Sequence, residues 1–312
     1  MELVNTKQMF KDCIHSGYAV GAFNFVNLET LKSIVSTADE MGSPVIVQCS
    51  TGGIKYAGLE EVVAMVKAVA SKVKVPVCLN LDHGATFEEC KRAIDAGFTN
   101  VMIDASKYPM EQNIALTQQV VEYAHARNVT VEAEIGVLAG VEDEVSAEQN
   151  IYTDPQQAKD FVELTGCDSL AIAIGTSHGT VKFSGEAKLQ FNILKKIEEL
   201  LPDFPLVLHG ASSIPKDMVA LAEQFGAVLS GANGIPEEML RKACEHNICK
   251  INVDSDLRIA YTAGVREHLI LNPDNVDIRK YNQNGMKYIK ETVSHKMKEV
   301  FMSADRARID SE

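Results

Sequence analysis

Leu206-Val207-Leu208-His209-Gly210-Ala211-Ser212-Ser213 is the stretch on which the reading of this chain turns. Its apolar start reads as a buried strand. A histidine, a glycine that frees the backbone, and two serines then sit at the strand end. The layout recurs twice. Val77–Leu81 runs into Asp82-His83-Gly84, and Leu170–Ile174 runs into Gly175-Thr176-Ser177-His178-Gly179. Three strands that each deliver a histidine just before a glycine, at one end, describe a metal site held by a parallel barrel.

The elements around these stretches agree. Candidate strands are Ala19–Asn24, Val45–Ser50, Val75–Asp82, Asn100–Ala105, Val129–Ile135, Ser169–Gly175, Leu206–His209 and Lys250–Val253. They are rich in Val, Ile and Leu without polar alternation, as strands covered on both faces should be. Helical periodicity fills the gaps at Leu28–Met41, Leu59–Ser71, Phe87–Ala96, Asn113–Ala126, Pro155–Thr165 and Gly185–Leu201. Strand then helix, eight times, predicts an α/β fold of the (β/α)8 TIM-barrel type, with an open doubly wound sheet as the alternative. No GxGxxG follows the first strand and no GxxxxGK[ST] occurs, which weighs against that alternative. Residues 1–312 are expected to form one barrel domain, with a helical insertion at about 214–246 and C-terminal helices at about 257–302. Leu138–Tyr152 is acidic and aperiodic and is expected to be a long loop after the fifth strand.

Composition narrows the partners. The 312 residues are 46% hydrophobic and carry a formal charge of −13, with no block of Lys or Arg. A nucleic-acid or anionic-membrane surface needs a concentrated positive patch, so neither is expected. Seven scattered cysteines, an odd number without CxxC, read as reduced thiols of a cytoplasmic protein. Met1–Cys13 carries Glu2, Lys7, Lys11 and Asp12 and no long apolar core, and no run of 18 apolar residues occurs, so neither a signal peptide nor a transmembrane helix is expected.

Catalytic groups of such barrels lie where strand C-termini meet the following loops. His83, His178 and His209 all fall there, after the third, sixth and seventh strands. Three imidazoles with an open fourth position form a usual catalytic zinc shell. Each alone reads as a hydrogen-bonded core histidine; together at one rim they favour metal. The other five histidines, His15, His125, His246, His268 and His295, fall in helical segments and read as surface residues. Asp82 and His83, being adjacent, should point to different sides of the strand end. Asp104 ends the fourth strand. Glu132 and Glu134 share a face of the fifth, where a cation or a buried ion-pair layer would offset their burial.

Gly179, Gly210 and Ser212 offer backbone amides and a hydroxyl beside the histidines, and Lys182 follows in the next loop. A phosphate commonly sits near the late strands of a barrel on such groups. In the eighth strand Asn252 and Asp254 share a face, and Arg258 lies one turn into the next helix, where its fork suits a second phosphate. Alternatively Asp254, Ser255 or Asp256 caps that helix.

These stretches, taken in order, resemble the class II fructose-bisphosphate aldolases. The motifs are Tyr18–Asn24 (YAVGAFN), Leu81–Gly84 (LDHG), Val101–Ser106 (VMIDAS), Val131–Gly136 (VEAEIG), Gly140–Asp143 (GVED), Gly175–Gly179 (GTSHG), Leu208–Ser212 (LHGAS) and Lys250–Asp256 (KINVDSD). The related tagatose-bisphosphate aldolases share most of them. The resemblance implies Zn2+ on His83, His178 and His209, with Glu134 beside it and Asp104 binding or orienting near it. It implies that Asp82 exchanges the C4-hydroxyl proton and that Glu142 exchanges the C3 proton. Gly179, Lys182, Gly210 and Ser212 would hold the C1 phosphate, and some members place a monovalent cation (Na+ or K+) there. Asn252 and Asp254 would touch the substrate, Arg258 the C6 phosphate, and Asn24 and Ser255 are counted with the substrate-binding residues. A homodimer or higher homo-oligomer is expected, with Arg279 reaching a neighbour's site.

Two departures stand out: Ala139-Gly140 where many members have Gly-Gly, and Ala211 where many have Gly. Asp-Ser-Asp-Leu-Arg after Asn252-Val253 favours the fructose type over the tagatose type. The chemistry agrees. Breaking an unactivated C3–C4 bond leaves a carbanion beside a carbonyl, whose charge either a metal or a lysine Schiff base must take up. Lys182 and Lys250 are the lysines nearest the rim, but only a metal accounts for three histidines. Two other classes remain open, a zinc hydrolase using Asp82 as general base and a non-catalytic sugar-phosphate binder.

Overall fold

Val20–Asn24 (β1), Val45–Ser50 (β2), Val77–Gly84 (β3), Asn100–Ile103 (β4) and Thr130–Ile135 (β5) are buried at every position. So are Ser169–Ile172, Leu206–Leu208 and Ile248–Val253. With Gly140–Glu142 as β6 and Val145–Ala147 as β7, these last three are β8, β9 and β10. In the computed structural model, which describes residues 2–138, 140–142, 145–147, 151–179, 188–229 and 231–307, the eight buried strands pair in parallel into a closed barrel, in the order β1-β10-β9-β8-β5-β4-β3-β2. A closed ring has no free edge and hides both strand faces, which is why the strands read as continuous apolar runs.

The helices are Thr6–Cys13 (α1), Leu28–Glu40 (α2), Thr51–Ala57 (α3), Leu59–Ala70 (α4), Phe87–Ala96 (α5), Met110–His125 (α6), Pro155–Thr165 (α7), Phe191–Leu200 (α8), Lys216–Gln224 (α9), Glu237–Ala243 (α10), Ser255–Leu271 (α11) and Ile278–His295 (α12). A π-helical turn, Lys296–Val300, ends α12. The sharpest boundaries carry explicit caps. Thr86 and Glu89 form a capping box before α5, and Gly97 closes it in the left-handed conformation. Asp154 caps α7, Pro155 takes its first turn, and Gly166 ends it.

The expected loop at Leu138–Tyr152 is corrected here. β6 and β7 pair antiparallel, and Val137 bridges Ile151. Three-residue strands are too short for alternation to register in sequence. Two short helices, α1 and α3, also lie outside the expected elements. Met9, Phe10 and Cys13 of α1 pack against Tyr18, Val20, Ile46, Cys78 and Cys249, at the N-terminal end of the barrel. Of the histidines read as surface residues, His246 and His268 are half-buried.

The barrel interior is partly polar. Lys250 and Glu132, both fully buried, face each other from β10 and β5 at 2.8 Å. This is the ion-pair layer weighed for Glu132. The Lys250 ammonium is therefore engaged by a carboxylate. Removing one partner of such a pair strands the other charge, at a cost of about 3–5 kcal/mol. Lys250→Met should lower the urea-unfolding free energy by about that amount. Unfolding indistinguishable from the parent would show that the ion pair is dispensable.

Candidate active site

β3, β8 and β9 carry the three histidines to one end of the barrel. Gly210 sets the spacing of two of them. It adopts φ +57°, and a Cβ there would lie 2.6 Å from the backbone of Ser177. Only glycine lets the turn after β9 press so closely on the turn after β8, and this places His209 beside His178.

His83 departs from the expectation that it would point away from Asp82. Its backbone takes φ +52°, rare for a residue with a side chain, and the β3–β4 register shifts between Leu81 and Gly84. The twist turns both side chains into the same site. Gly84 permits it, because a Cβ there would lie 2.8 Å from the Met102 carbonyl. Strain of this kind persists where surrounding contacts over-determine it, often at functional sites.

The three rings converge. Their ligand nitrogens lie within 4.8 Å of one another, all buried. His83 Nε2 is 3.0 Å from His209 Nδ1. Two nitrogens each about 2.0–2.1 Å from one tetrahedral ion would stand roughly 3.3 Å apart, so the spacing fits a shared cation. The outward nitrogens are held by carboxylates. Asp104 Oδ2 meets His83 Nδ1 at 2.9 Å, and Glu132 Oε1 meets His209 Nε2 at 2.6 Å. Such outer carboxylates fix the ring orientation of metal-ligating histidines. Asp104 itself is braced by the Ser106 amide and hydroxyl.

A second group, His83, Asp104 and Glu134, meets the same distance criterion. Glu134 Oε2 is buried with no hydrogen-bond partner among the described residues. An orphaned carboxylate oxygen costs free energy unless a cation meets it. Burial, and then the Asp104, Glu132 and Asp82 charges, push the Glu134 carboxyl well above its ordinary range. Burial lowers His83, but Asp82, Asp104 and Glu134 outweigh it and raise the ring well above 6.5. His209 is lowered, by burial and by the neighbouring charges of Lys250 and His83. Burial would raise Glu132, yet Lys250 and His209 bring it down to about 2. The two groups of ligand atoms and the unpartnered Glu134 oxygen fit a metal cation.

Around the histidines, Asp82 accepts from Asn24 Nδ2 at 2.8 Å and from Asn252 Nδ2 at 3.2 Å. Ser212 and Ser255 are buried at the same rim, with the Ser212 hydroxyl 3.4 Å from the Asp254 amide. Gly179 follows His178 in a left-handed turn. Arg258 forks onto Asp254 through Nε at 2.9 Å and Nη2 at 2.8 Å. Asp254 takes the N-cap position of α11 without a side-chain capping bond. Asp256 does not cap its helix either. It accepts the Ser213 and Ile214 amides at 3.2 and 2.7 Å and pairs with buried Lys296 at 3.0 Å. The turn that holds Gly210 and Ser212 is thereby tied to the C-terminal π-turn. Lys182 lies outside the described residues. Glu142 is placed only as backbone, in β6, and its side chain lies outside the description.

Sequence reasoning missed Gln48, Asn80 and Asn100, buried amides inside β2, β3 and β4. Their signal was a lone amide in otherwise apolar runs such as VIVQC and VCLNL. The sequence offers Asp256 as a helix cap, and nothing local to it points to Lys296, forty residues on.

Comparison with known proteins agrees with this geometry. A family model described as fructose-bisphosphate aldolase class-II matches residues 4–306. Fructose-bisphosphate aldolase from Treponema pallidum (strain Nichols) is 47% identical over 324 aligned residues, which cover 98% of each chain. Its counterpart from Geobacillus stearothermophilus is 44% identical over 311, covering 99% of this chain and 100% of that one. Among solved structures, the YdjI aldolase from Escherichia coli K12 matches with a TM-score of 0.81 at 32% identity, over 98% of this chain and 100% of that one. Matched almost end to end, this chain belongs to the class II fructose-bisphosphate aldolase family.

Proposed function

We propose that the chain reversibly cleaves fructose 1,6-bisphosphate to dihydroxyacetone phosphate and glyceraldehyde 3-phosphate, with Zn2+ on His83, His178 and His209. The observation that carries this is the convergence of those three imidazoles beside Asp82. The ion, when bound, supplies a Lewis acid for the substrate's C2 carbonyl. Every other part falls to side chains. Asp82, braced by Asn24 and Asn252, takes the C4-hydroxyl proton as the C3–C4 bond breaks. The O–H electron pair becomes the aldehyde carbonyl, and the C3–C4 pair stays with C3. Glu142 then delivers a proton to C3. Gly179, Lys182, Gly210 and Ser212 hold the C1 phosphate, with a monovalent cation (Na+ or K+) alongside. Arg258 swings from Asp254 to the C6 phosphate, and Asn252, Asp254 and Ser255 orient the sugar.

The burial of Lys250 against Glu132 supports metal chemistry over a Schiff base. That amine is held by Glu132 at 2.8 Å, and a nucleophilic amine must be neutral and accessible. Incubation with fructose 1,6-bisphosphate should yield both trioses, and a chelator should abolish this. Activity that survives chelation, trapping on lysine by borohydride, or release of inorganic phosphate would each overturn the reading. Faster turnover of tagatose 1,6-bisphosphate would reassign the substrate within the family.

The tip of the α11–α12 hairpin supports a homo-oligomer. Leu269, Ile270, Leu271, Val276 and Ile278 are all exposed there. Clustered apolar exposure of this kind marks association surfaces. Arg279, at the same tip, is paired with Asp277 at 2.8 Å and points from a largely exposed position; a neighbouring subunit's site is its proposed target. The seven buried cysteines, with no disulfide between them, support a cytoplasmic setting. Among the described residues no helix is long and apolar enough to cross a membrane. Sedimentation velocity should return at least a dimer; a monomer at assay concentration would contradict the proposed assembly.

A further inference from the structure

A row of buried amides runs through the barrel and ends on Asp82. Thr6 Oγ1 donates to Thr130 Oγ1 at 2.9 Å, and Thr130 Oγ1 to Asn100 Oδ1 at 2.7 Å. Asn100 Nδ2 donates to Asn80 Oδ1 at 2.7 Å, and Asn80 Nδ2 to Gln48 Oε1 at 3.2 Å. Gln48 Nε2 donates to Asn24 Oδ1 at 2.7 Å, and Asn24 Nδ2 reaches Asp82 Oδ2 at 2.8 Å. Every member is buried.

The path follows from the strand register. Asn24 is the partner of Gln48, Gln48 of Asn80, Asn80 of Asn100, and Asn100 of Thr130. The ladder therefore steps sideways across five adjacent strands, one residue on each. Strands in a barrel are tilted and staggered. A sideways step is then also a step along the axis. Thr130 and Asn100 begin their strands, while Asn24 ends β1. The row enters under α1, where the Thr6 backbone amide also donates to Thr130 Oγ1 at 3.2 Å, and leaves at the catalytic rim.

Its direction follows from the far end. A carboxylate only accepts hydrogen bonds. Asn24 must turn its NH2 to Asp82 and its carbonyl to Gln48. Gln48 must then donate, and the same choice is forced on Asn80 and Asn100. Hydrogen bonds aligned head to tail polarise one another and hold one another's geometry.

We infer that Asn80, Asn100 and Thr130 are positioning residues that act on Asp82 through Gln48 and Asn24, fixing the carboxylate for the C4-hydroxyl proton transfer. The inference rests on the role of Asp82 in the proposed reaction. It predicts a split that a packing role would not produce, because the C3 proton exchange assigned to Glu142 does not pass through Asp82.

Asn80→Leu and Thr130→Val should be compared with the parent and with Asp82→Ala in the zinc-loaded protein. The readouts are kcat and KM for cleavage of fructose 1,6-bisphosphate, and deuterium uptake at C3 of dihydroxyacetone phosphate in heavy water. In Asn80→Leu, kcat should fall about tenfold, as when an outer hydrogen-bond partner of a site is lost, while KM and exchange hold at the parent level. Thr130→Val, nearly isosteric and farther from Asp82, should show the same split at smaller size, and carries the test if Asn80→Leu does not fold. Parent-level kcat in both variants, or equal loss of cleavage and exchange, overturns the inference while Asp82→Ala is inactive. Parent-level cleavage by Asp82→Ala overturns both this inference and the reading of the reaction.

Discussion

His83 and His209 bring a ring nitrogen each to within 3.0 Å because a carboxylate behind each ring fixes its direction. Asp104 does so from β4 and Glu132 from β5. Glu132 in turn is held by Lys250, buried at the same level. Glu132, His209 and His83 thus form a continuous contact across the barrel mouth. Charges buried this deeply are tolerable only when they are paired or meet a cation. Lys250 balances one carboxylate; Asp82, Asp104 and Glu134 leave the rim electron-rich. A metal ion among the three imidazoles would offset that charge, and the residues placed to hold it are tied into the buried polar layer of the barrel.

The barrel supplies the remaining precision. Gly210 lets two loops touch where a side chain would collide. A left-handed residue at His83 and a register shift in β3 bring a proton-transfer candidate and a metal-ligand candidate to one side of one strand. The α12 helix and its π-turn return Lys296 to Asp256, which holds the Ser213–Ile214 amides next to the Gly210–Ser212 turn. The C-terminal extension therefore braces the rim.

The architecture was largely legible because local signals agreed with the global fold. α5 and α7 run over the same residues that the periodicity marks, since Thr86, Gly97, Asp154 and Gly166 punctuate them. The buried strands showed as Val, Ile and Leu runs, and the three histidines stood at their ends. Less legible features depend on partners distant in sequence. Nothing near Asp82 shows that Asn24 and Asn252 clasp it. Gln48, Asn80 and Asn100 are single amides in separate apolar runs, and only strand register aligns them. Alternation predicts the orientation of His83 only for a regular strand, and the twist there breaks it. The β6–β7 hairpin leaves no alternation in the sequence because each strand holds only three residues.

Zinc-edge X-ray absorption on the metal-loaded protein tests the convergence of the imidazoles most directly. Three nitrogen neighbours at about 2.0–2.1 Å are expected, with the outer scattering of imidazole rings, and His178→Ala should remove one of them. A first shell of carboxylate and water oxygens alone, or a spectrum unchanged by His178→Ala, would contradict it.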